Sequence, residues 1–185
     1  MSDIAVIYKS KYGSTKQYAE WISEELNADL FERSDVKIEN LSNYKTIIFG
    51  GGLYASGIIG FDIIKKNFER IKDKNIIVFT VGLGDPKNKD QFIPIIDKNF
   101  TDEMKEYISI FHLRGSMDYS RLNLMHRSLM GMVKKSVDKK PEENRTQEDI
   151  QMLETYGDKV DFVDKNTAIP IIELVKAFKI KMEID

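Results

Sequence analysis

Residues 4–26 read IAVIYKSKYGSTKQYAEWISEEL and contain the strand, loop and helix that decide the fold. Ile4–Tyr8 is a near-continuous apolar run, which is typical of a strand covered on both faces. Thr15–Leu26 places apolar residues at helical spacing on one face (Tyr18, Ile22, Leu26). The stretch therefore predicts a buried strand that enters a helix through the loop Lys9–Ser14.

The same alternation of strand and helix continues along the chain. Short β-like runs are separated by helical patterns at 63–71 and 89–105, and the strands are predicted at 28–33, Thr46–Phe49, Ile76–Val81 and Tyr107–Leu113. Such alternation predicts an α/β fold with a doubly wound parallel sheet and helices on both faces. Ligands of these sheets bind at the carboxyl ends of the strands, where this chain places its unusual loops.

Composition narrows the chemistry that is open to this chain. Its 185 residues suit one domain with a hydrophobic core, and it contains no cysteine and two histidines. Disulfides, thiolate metal centres, cysteine nucleophiles and a multi-histidine metal site are therefore excluded. We expect no metal, and any redox role would need an organic cofactor.

Charge and hydropathy also limit the partners and the location. The net charge of −2 does not predict a nucleic-acid partner. Apolar runs reach only about seven residues, against the roughly 20 that a membrane-spanning helix needs. The N-terminal residues become polar too early for a signal peptide, so we expect a cytoplasmic protein.

The loop after the first strand has the features of a phosphate site. A helix start offers unpaired N–H groups and the positive end of the helix dipole, and hydroxyl donors and a glycine surround it here (Ser10, Gly13, Ser14, Thr15). The alternative is that Ser14 or Thr15 only caps the helix. The ATPase-type loop GxxxxGK[ST] and the dinucleotide fingerprint GxGxxG are both missing at this position.

Residues Val6–Ile22 resemble the flavodoxin signature for the phosphate of FMN. Two apolar strand residues and an aromatic lead through the loop into a threonine, and then into Ala19 and Ile22 on the helix. The resemblance implies a single flavodoxin-like domain over 1–185, with a five-stranded parallel sheet in the order 2-1-3-4-5, and FMN as cofactor. It also implies that the phosphate loop binds FMN through residues 10–15 (Ser10, Lys11, Tyr12, Gly13, Ser14, Thr15).

In the flavodoxin fold, the loops after the third and fourth parallel strands flank the isoalloxazine ring. Here the first ring loop is Gly52, Leu53, Tyr54 and Ala55, and the second is Val81, Gly82, Leu83, Gly84 and Asp85. Tyr54 is a candidate to stack on the ring, or else a surface tyrosine of a turn. Asp85 either places a carboxylate near the ring or starts an ordinary Asp-Pro turn.

The chain continues for about seventy residues beyond Leu113 and departs there from a short flavodoxin. Residues 113–122 resemble the segment after the last strand in the flavodoxin-like protoporphyrinogen oxidase family. That resemblance implies a helical extension over 114–160, oxidation of a protoporphyrinogen-type substrate, and electron transfer to a quinone. Three residues of this segment are candidates for contact with a substrate or partner (Arg114, Asp118, Tyr119).

Residues 112–140 carry a local charge of +5, against −7 in the rest of the chain. A helical wheel predicts one apolar face and an opposite basic one, with Leu122, Met125, Leu129, Met132 and Val133 on the apolar face. This helix either contacts an anionic membrane or a partner through 121–140, or packs its apolar face on the domain.

The sequence leaves three functions open. The first is an FMN enzyme that acts on a small-molecule substrate or a quinone, and the second is a plain flavodoxin-type electron carrier with a redox partner. The third is a non-redox interaction module; a receiver domain is excluded because Tyr8, Lys9 and Ser10 stand where that chemistry needs acidic residues. No side chain is marked as a general acid or base, which is typical of chemistry done by the cofactor.

Overall fold

A computed structural model describes residues 2–54 and 56–184, with only the backbone of residues 147, 148, 151 and 181–184. The strands are β1 (Ile4–Lys9), β2 (Asp29–Glu32), β3 (Thr46–Tyr54), β4 (Gly57–Ile58), β5 (Asn75–Gly82), β6 (Ile108–Arg114), β7 (Ser116–Asp118) and β8 (Lys159–Asp161). The helices are α1 (Ser14–Leu26), α2 (Asp62–Lys65), α3 (Phe68–Ile71), α4 (Ile93–Asn99), α5 (Asp102–Tyr107), α6 (Leu124–Asp138), α7 (Gln147–Thr155) and α8 (Ile169–Ile184).

The main sheet has the predicted parallel order. Its strands run β2-β1-β3-β5-β6, and β4 adds only a short antiparallel hairpin on β3. Counted without that hairpin, the order is 2-1-3-4-5, so the predicted α/β fold class is confirmed.

Apolar residues on both faces of the central strands build two cores. Along β3, Ile47 and Phe49 face one core while Ile48 faces the other, because successive side chains of a strand alternate. Helices α2 and α3 cover the first core, and α1 and α8 cover the second. In α8, Ile171 and Val175 are fully buried in this second core.

Strand β3 runs five residues further than the apolar run predicted. Gly50–Gly52 pair in register with Phe79–Val81 of β5. A Cβ atom on Gly50 would lie 2.1 Å from Cζ of Phe79, so glycine leaves room for that ring over the strand. The extension carries Leu53 and Tyr54 to the carboxyl edge of the sheet.

Two predicted helices are each divided in the structure. The helix at 63–71 breaks before α3, where the side chain of Asn67 donates to the carbonyl oxygen of Ile63 at 2.8 Å. The helix at 89–105 breaks at Phe100, which is extended and buried; Thr101 then caps α5. In both cases the tertiary structure interrupts a pattern that is continuous in sequence.

The long C-terminal region is an excursion between β6 and α8. It spans residues 116–161, and its first and last strands, β7 and β8, pair antiparallel at its base. Tyr18 ties both ends of the excursion to the sheet, since its hydroxyl donates to Arg114 O at 2.9 Å and accepts the N–H of Asp164 at 3.0 Å. That the chain is a single domain over 1–185 with a helical extension over 114–160 stays a prediction.

Candidate cofactor site

A cavity of about 330 Å³ opens where β1, β3 and β5 end. The phosphate loop, both ring loops and the excursion all contribute to its wall. The lining residues are Lys11, Tyr12, Ser14, Thr15, Gly52, Leu53, Tyr54, Ile59, Val81, Gly82, Leu83, Gly115, Ser116, Met117, Leu122, His126, Leu129, Met130 and Val133.

Thr15 is the best placed hydroxyl for a phosphate. It lies in the first turn of α1, is 3% exposed and lines the cavity. Its Oγ1 lies 3.6 Å from the position of a Cβ atom on Gly52, so it faces the first ring loop. Among the described residues, Thr15 Oγ1 makes no hydrogen bond to a protein group. A hydroxyl on the cavity wall that has no protein partner can hydrogen-bond a ligand in the cavity.

The other hydroxyls of the phosphate loop already have protein partners. Ser14 Oγ accepts the N–H of Ser116 at 3.0 Å and lies 2.9 Å from Ser116 Oγ. Ser10 Oγ accepts the N–H of Gly13 at 3.1 Å, and Gly13 has a φ of +102° that favours glycine. The suggestion that Ser14 or Thr15 caps α1 is wrong, since Gly13 is the N-cap and no side-chain cap bond forms. The free N–H groups of the first turn therefore remain for an anion.

Tyr54 stacks on a side chain that the sequence did not single out. Its ring centroid lies 4.6 Å from that of His126 in α6, with an interplanar angle of 27°. The covered face of Tyr54 is not open to a flavin in this arrangement. Leu53 and Leu83 still face the cavity, and Leu53 packs against Gly82 across the two ring loops.

Other predicted residues lie outside the cavity wall. Gly84 packs against Gln91, and the carboxylate of Asp85 accepts the N–H of Lys87 as in a turn. Ala55 lies outside the described residues. No observation tests a role of these residues in binding, and for them it stays a prediction.

The three predicted substrate residues are not among the lining residues of the cavity. The guanidinium of Arg114 lies 3.6 Å from the centroid of Phe162, and its Nε donates to the carbonyl oxygen of Leu83. The carboxylate of Asp118 accepts from Ser120, which lowers its pKa. Tyr119 is buried beside Tyr156, and burial raises its pKa. In this structure all three hold the base of the excursion together.

The packed face of α6 differs from the face that the helical wheel predicts. Leu129 and Val133 line the cavity as expected, but Met125 and Met132 are 62% and 58% exposed. The buried face instead contains His126 and Val137. The sequence does carry a signal for His126, because Leu129, Met130 and Val133 follow it at helical spacing. The helical wheel places Met125 and Met132 on the apolar face instead, and that face leaves His126 out.

Comparison with known proteins identifies the family. A model of the flavodoxin domain family matches residues 5–144, which is more than half of the chain. The chain belongs to the flavodoxin domain family. Comparison with curated proteins finds no match.

Structure comparison matches this chain to solved flavodoxins and a rubredoxin oxygen:oxidoreductase at low identity. An archaeal flavodoxin is 20% identical, with 94% of this chain and 98% of that chain covered and a TM-score of 0.44. Oxidised Flavodoxin 1 from Bacillus cereus is 14% identical, covers 60% and 83%, and has a TM-score of 0.46. Rubredoxin oxygen:oxidoreductase from Desulfovibrio gigas is 13% identical, covers 94% of this chain and 36% of that chain, and has a TM-score of 0.45. At these values the likeness concerns the fold alone.

Flavodoxin domain proteins bind flavin, typically FMN, and this site fits that group. The unpartnered hydroxyl of Thr15 and the free N–H groups of α1 suit a phosphate, while Leu53 and Leu83 suit a flat apolar ring. Among the described residues, no helix has the length and apolar character to cross a bilayer.

Proposed function

We propose that this protein is an FMN-dependent oxidoreductase whose second substrate is a flat apolar small molecule. The observation that carries the FMN part is the hydroxyl of Thr15, which lies on the cavity wall at the start of α1 without a partner among the described residues. When bound, FMN supplies the transfer of electrons. The chain would bind its phosphate through the first turn of α1 and flank its ring with Leu53 and Leu83.

The excursion supports a small-molecule substrate over a protein partner. A plain electron carrier exposes its flavin edge to another protein, whereas α6 lies over this cavity. Apolar side chains of the excursion complete the cavity wall (Met117, Leu122, Leu129, Met130, Val133). Such a wall suits a quinone or a porphyrinogen-type ring and keeps water away from it. The plain carrier remains the second candidate because the phosphate loop serves both.

A visible spectrum and a flavin titration test the first step. We expect the purified protein to be yellow, or the apoprotein to quench the fluorescence of added FMN. A colourless protein that changes neither signal would contradict the proposal.

A turnover assay separates the enzyme from the carrier. Protoporphyrinogen is mixed with a soluble quinone, with and without the FMN-loaded protein, and porphyrin formation is followed by fluorescence. We expect the protein to accelerate the reaction. A rate equal to the uncatalysed oxidation would remove the oxidase version and leave the carrier.

Two hydroxyl variants of the phosphate loop form a matched pair. Thr15→Val should weaken FMN binding by about 1–3 kcal/mol, because a phosphate hydrogen bond is lost, and should leave stability nearly unchanged, because no hydrogen bond to a described protein group is lost. Ser14→Ala should lower stability by about 1 kcal/mol, because the N–H of Ser116 loses its acceptor. Titration and urea unfolding measure both quantities. Equal FMN affinity in wild type and Thr15→Val would contradict the placement of the phosphate.

A further inference from the structure

His126 is a buried polar residue that joins α6 to both sides of the cofactor site. His126 is 5% exposed. At the start of the helix, its backbone N–H donates to the side-chain oxygen of Asn123 at 2.8 Å. The ring stacks on Tyr54 of the first ring loop. Its two nitrogens contact the phosphate loop, since Nδ1 is hydrogen-bonded to the hydroxyl of Tyr12 and Nε2 lies 2.9 Å from Nζ of Lys11.

These contacts determine which nitrogen carries the proton. The ammonium of Lys11 can only donate, so Nε2 of His126 must accept and must be unprotonated. In a neutral ring the proton is then on Nδ1, which donates to the hydroxyl oxygen of Tyr12. The structure agrees with a neutral ring, because burial and the neighbouring charge of Lys11 lower the pKa of His126.

This arrangement leaves donors of the phosphate loop free. The Tyr12 hydroxyl accepts from His126, so its own O–H can donate to another group. Lys11 uses one N–H on His126 and keeps two. Both side chains line the cavity. A dianionic group there would receive charge-assisted hydrogen bonds from them.

We infer that His126 is a positioning residue which holds Lys11 and Tyr12 as donors for the phosphate of the flavin. The inference rests on the proposed function, because the anion that it concerns is the phosphate of FMN. It makes α6 part of the cofactor site and gives this site a reason to prefer a phosphorylated flavin over riboflavin.

The chemistry of the neighbouring residues supports this role over simple packing. The other residues that α6 adds to the cavity wall are apolar (Leu129, Met130, Val133). A residue needed only for packing at position 126 could be apolar as well. Instead both polar atoms of the ring contact ionisable side chains of a single loop.

Binding of two flavins tests the inference. His126→Phe keeps an aromatic ring against Tyr54 and removes both polar contacts, while Met132→Leu is a control in the same helix at an exposed position outside the cavity wall. Dissociation constants for FMN and riboflavin are measured by fluorescence quenching for each protein. We expect wild type and Met132→Leu to prefer FMN, and His126→Phe to lose about tenfold in FMN affinity with riboflavin affinity unchanged, since one charge-assisted interaction with the phosphate is weakened.

The outcomes separate this inference from the proposed function. If His126→Phe kept the wild-type ratio of FMN to riboflavin affinity, or weakened both flavins equally, the inference would be overturned while FMN binding stood. A wild-type protein that binds neither flavin would overturn both.

Hydrogen exchange of the ligand-free proteins gives a second readout that needs no flavin. We expect faster exchange at residues 10–13 in His126→Phe than in wild type, with β5 unchanged as an internal control. Unchanged exchange at residues 10–13 would overturn the positioning role.

Discussion

The parallel sheet and the excursion at 116–161 differ in how much apolar surface they bury. The central strands bury residues on both faces, and Ile48, Phe49 and Phe79 are fully buried between helices. In the excursion, α6 buries little more than His126 and Val137 and exposes Leu124, Met125 and Met132. The sheet therefore contributes most of the stability, while the excursion contributes part of the cavity wall. The difference shows that residues outside the core can complete the wall of a cavity at the edge of the sheet.

Truncation of a core side chain should produce the largest difference in stability between the two regions. Ile48→Ala, at a fully buried position of β3, is expected to lower the free energy of unfolding by about 2–5 kcal/mol. Met132→Ala in α6 should change it by no more than about 0.5 kcal/mol, because that side chain is largely exposed. Urea unfolding of both variants checks this. Similar losses in the two would mean that the excursion belongs to the core.

Loss of the Tyr18 hydrogen bonds, which connect the sheet to the excursion, should have the second largest effect on stability. Tyr18→Phe removes the hydroxyl that bonds Arg114 O and the N–H of Asp164, so both partly buried bonds are lost. The expected loss of stability is about 1–3 kcal/mol. Tyr107→Phe, at an exposed position, is the control and should be neutral. A neutral Tyr18→Phe would show that the ends of the excursion do not depend on this hydroxyl.

The stability of the sheet should depend on pH through His112 of β6. Burial lowers the pKa of His112 in β6 to about 4, and its Nδ1 lies 2.7 Å from Oγ1 of the buried Thr80. In the unfolded chain the pKa is about 6.5, so the unfolded state binds the proton first as the pH falls. This stabilisation is complete above about pH 6.5 and is lost between pH 6.5 and 4.

A variant isolates that contribution. His112→Asn keeps a polar atom near Nδ1 but does not titrate in this range. Relative to the variant, wild type should lose about 1 kcal/mol between pH 7 and 4.5, a value reduced for solvent screening because the ring is only partly buried. Unfolding curves at the two pH values measure it. Parallel losses in both proteins would assign the pH dependence to other groups.

The smallest expected effect concerns the exposed side of α6. If this helix contacts an anionic membrane, Leu124→Ser with Met125→Ser should reduce the fraction of protein that floats with anionic vesicles and leave stability unchanged. Ile93→Ser, at an exposed apolar position of α4, serves as control. No flotation of the wild type would remove the membrane interpretation and leave an exposed face without a lipid role.

Local patterns predicted the sheet well because burial and sequence coincide there. A strand covered on both faces must be apolar throughout, and a loop that binds a phosphate must combine glycine, hydroxyls and a helix start. Residues 4–26 meet both conditions in one stretch and so predict a strand–loop–helix unit with a phosphate loop. The strand order was implied by the flavodoxin resemblance and is confirmed.

The breaks in the helices at 63–71 and 89–105 could not be read in this way. A pattern of apolar residues does not tell whether the helix continues when a side chain such as Asn67 can bond a backbone carbonyl. Phe100 is buried in an extended conformation because the core accepts its ring there, which is a property of the core and not of the neighbouring residues.

The sequence by itself determined the α/β fold and its strand–loop–helix units, since each unit depends on local contacts. The strand order came from the resemblance to flavodoxins, and the loops of the cofactor site stay a prediction. Only the tertiary structure decided that Ser14 is bound to Ser116 while Thr15 stays free, and that His126 meets Tyr12 and Tyr54. Ser14 and Tyr12 each contact a residue about a hundred positions further along the chain, and Tyr54 contacts one more than seventy positions further. The formation of these contacts depends on how the excursion folds back over the sheet, which no local pattern specifies.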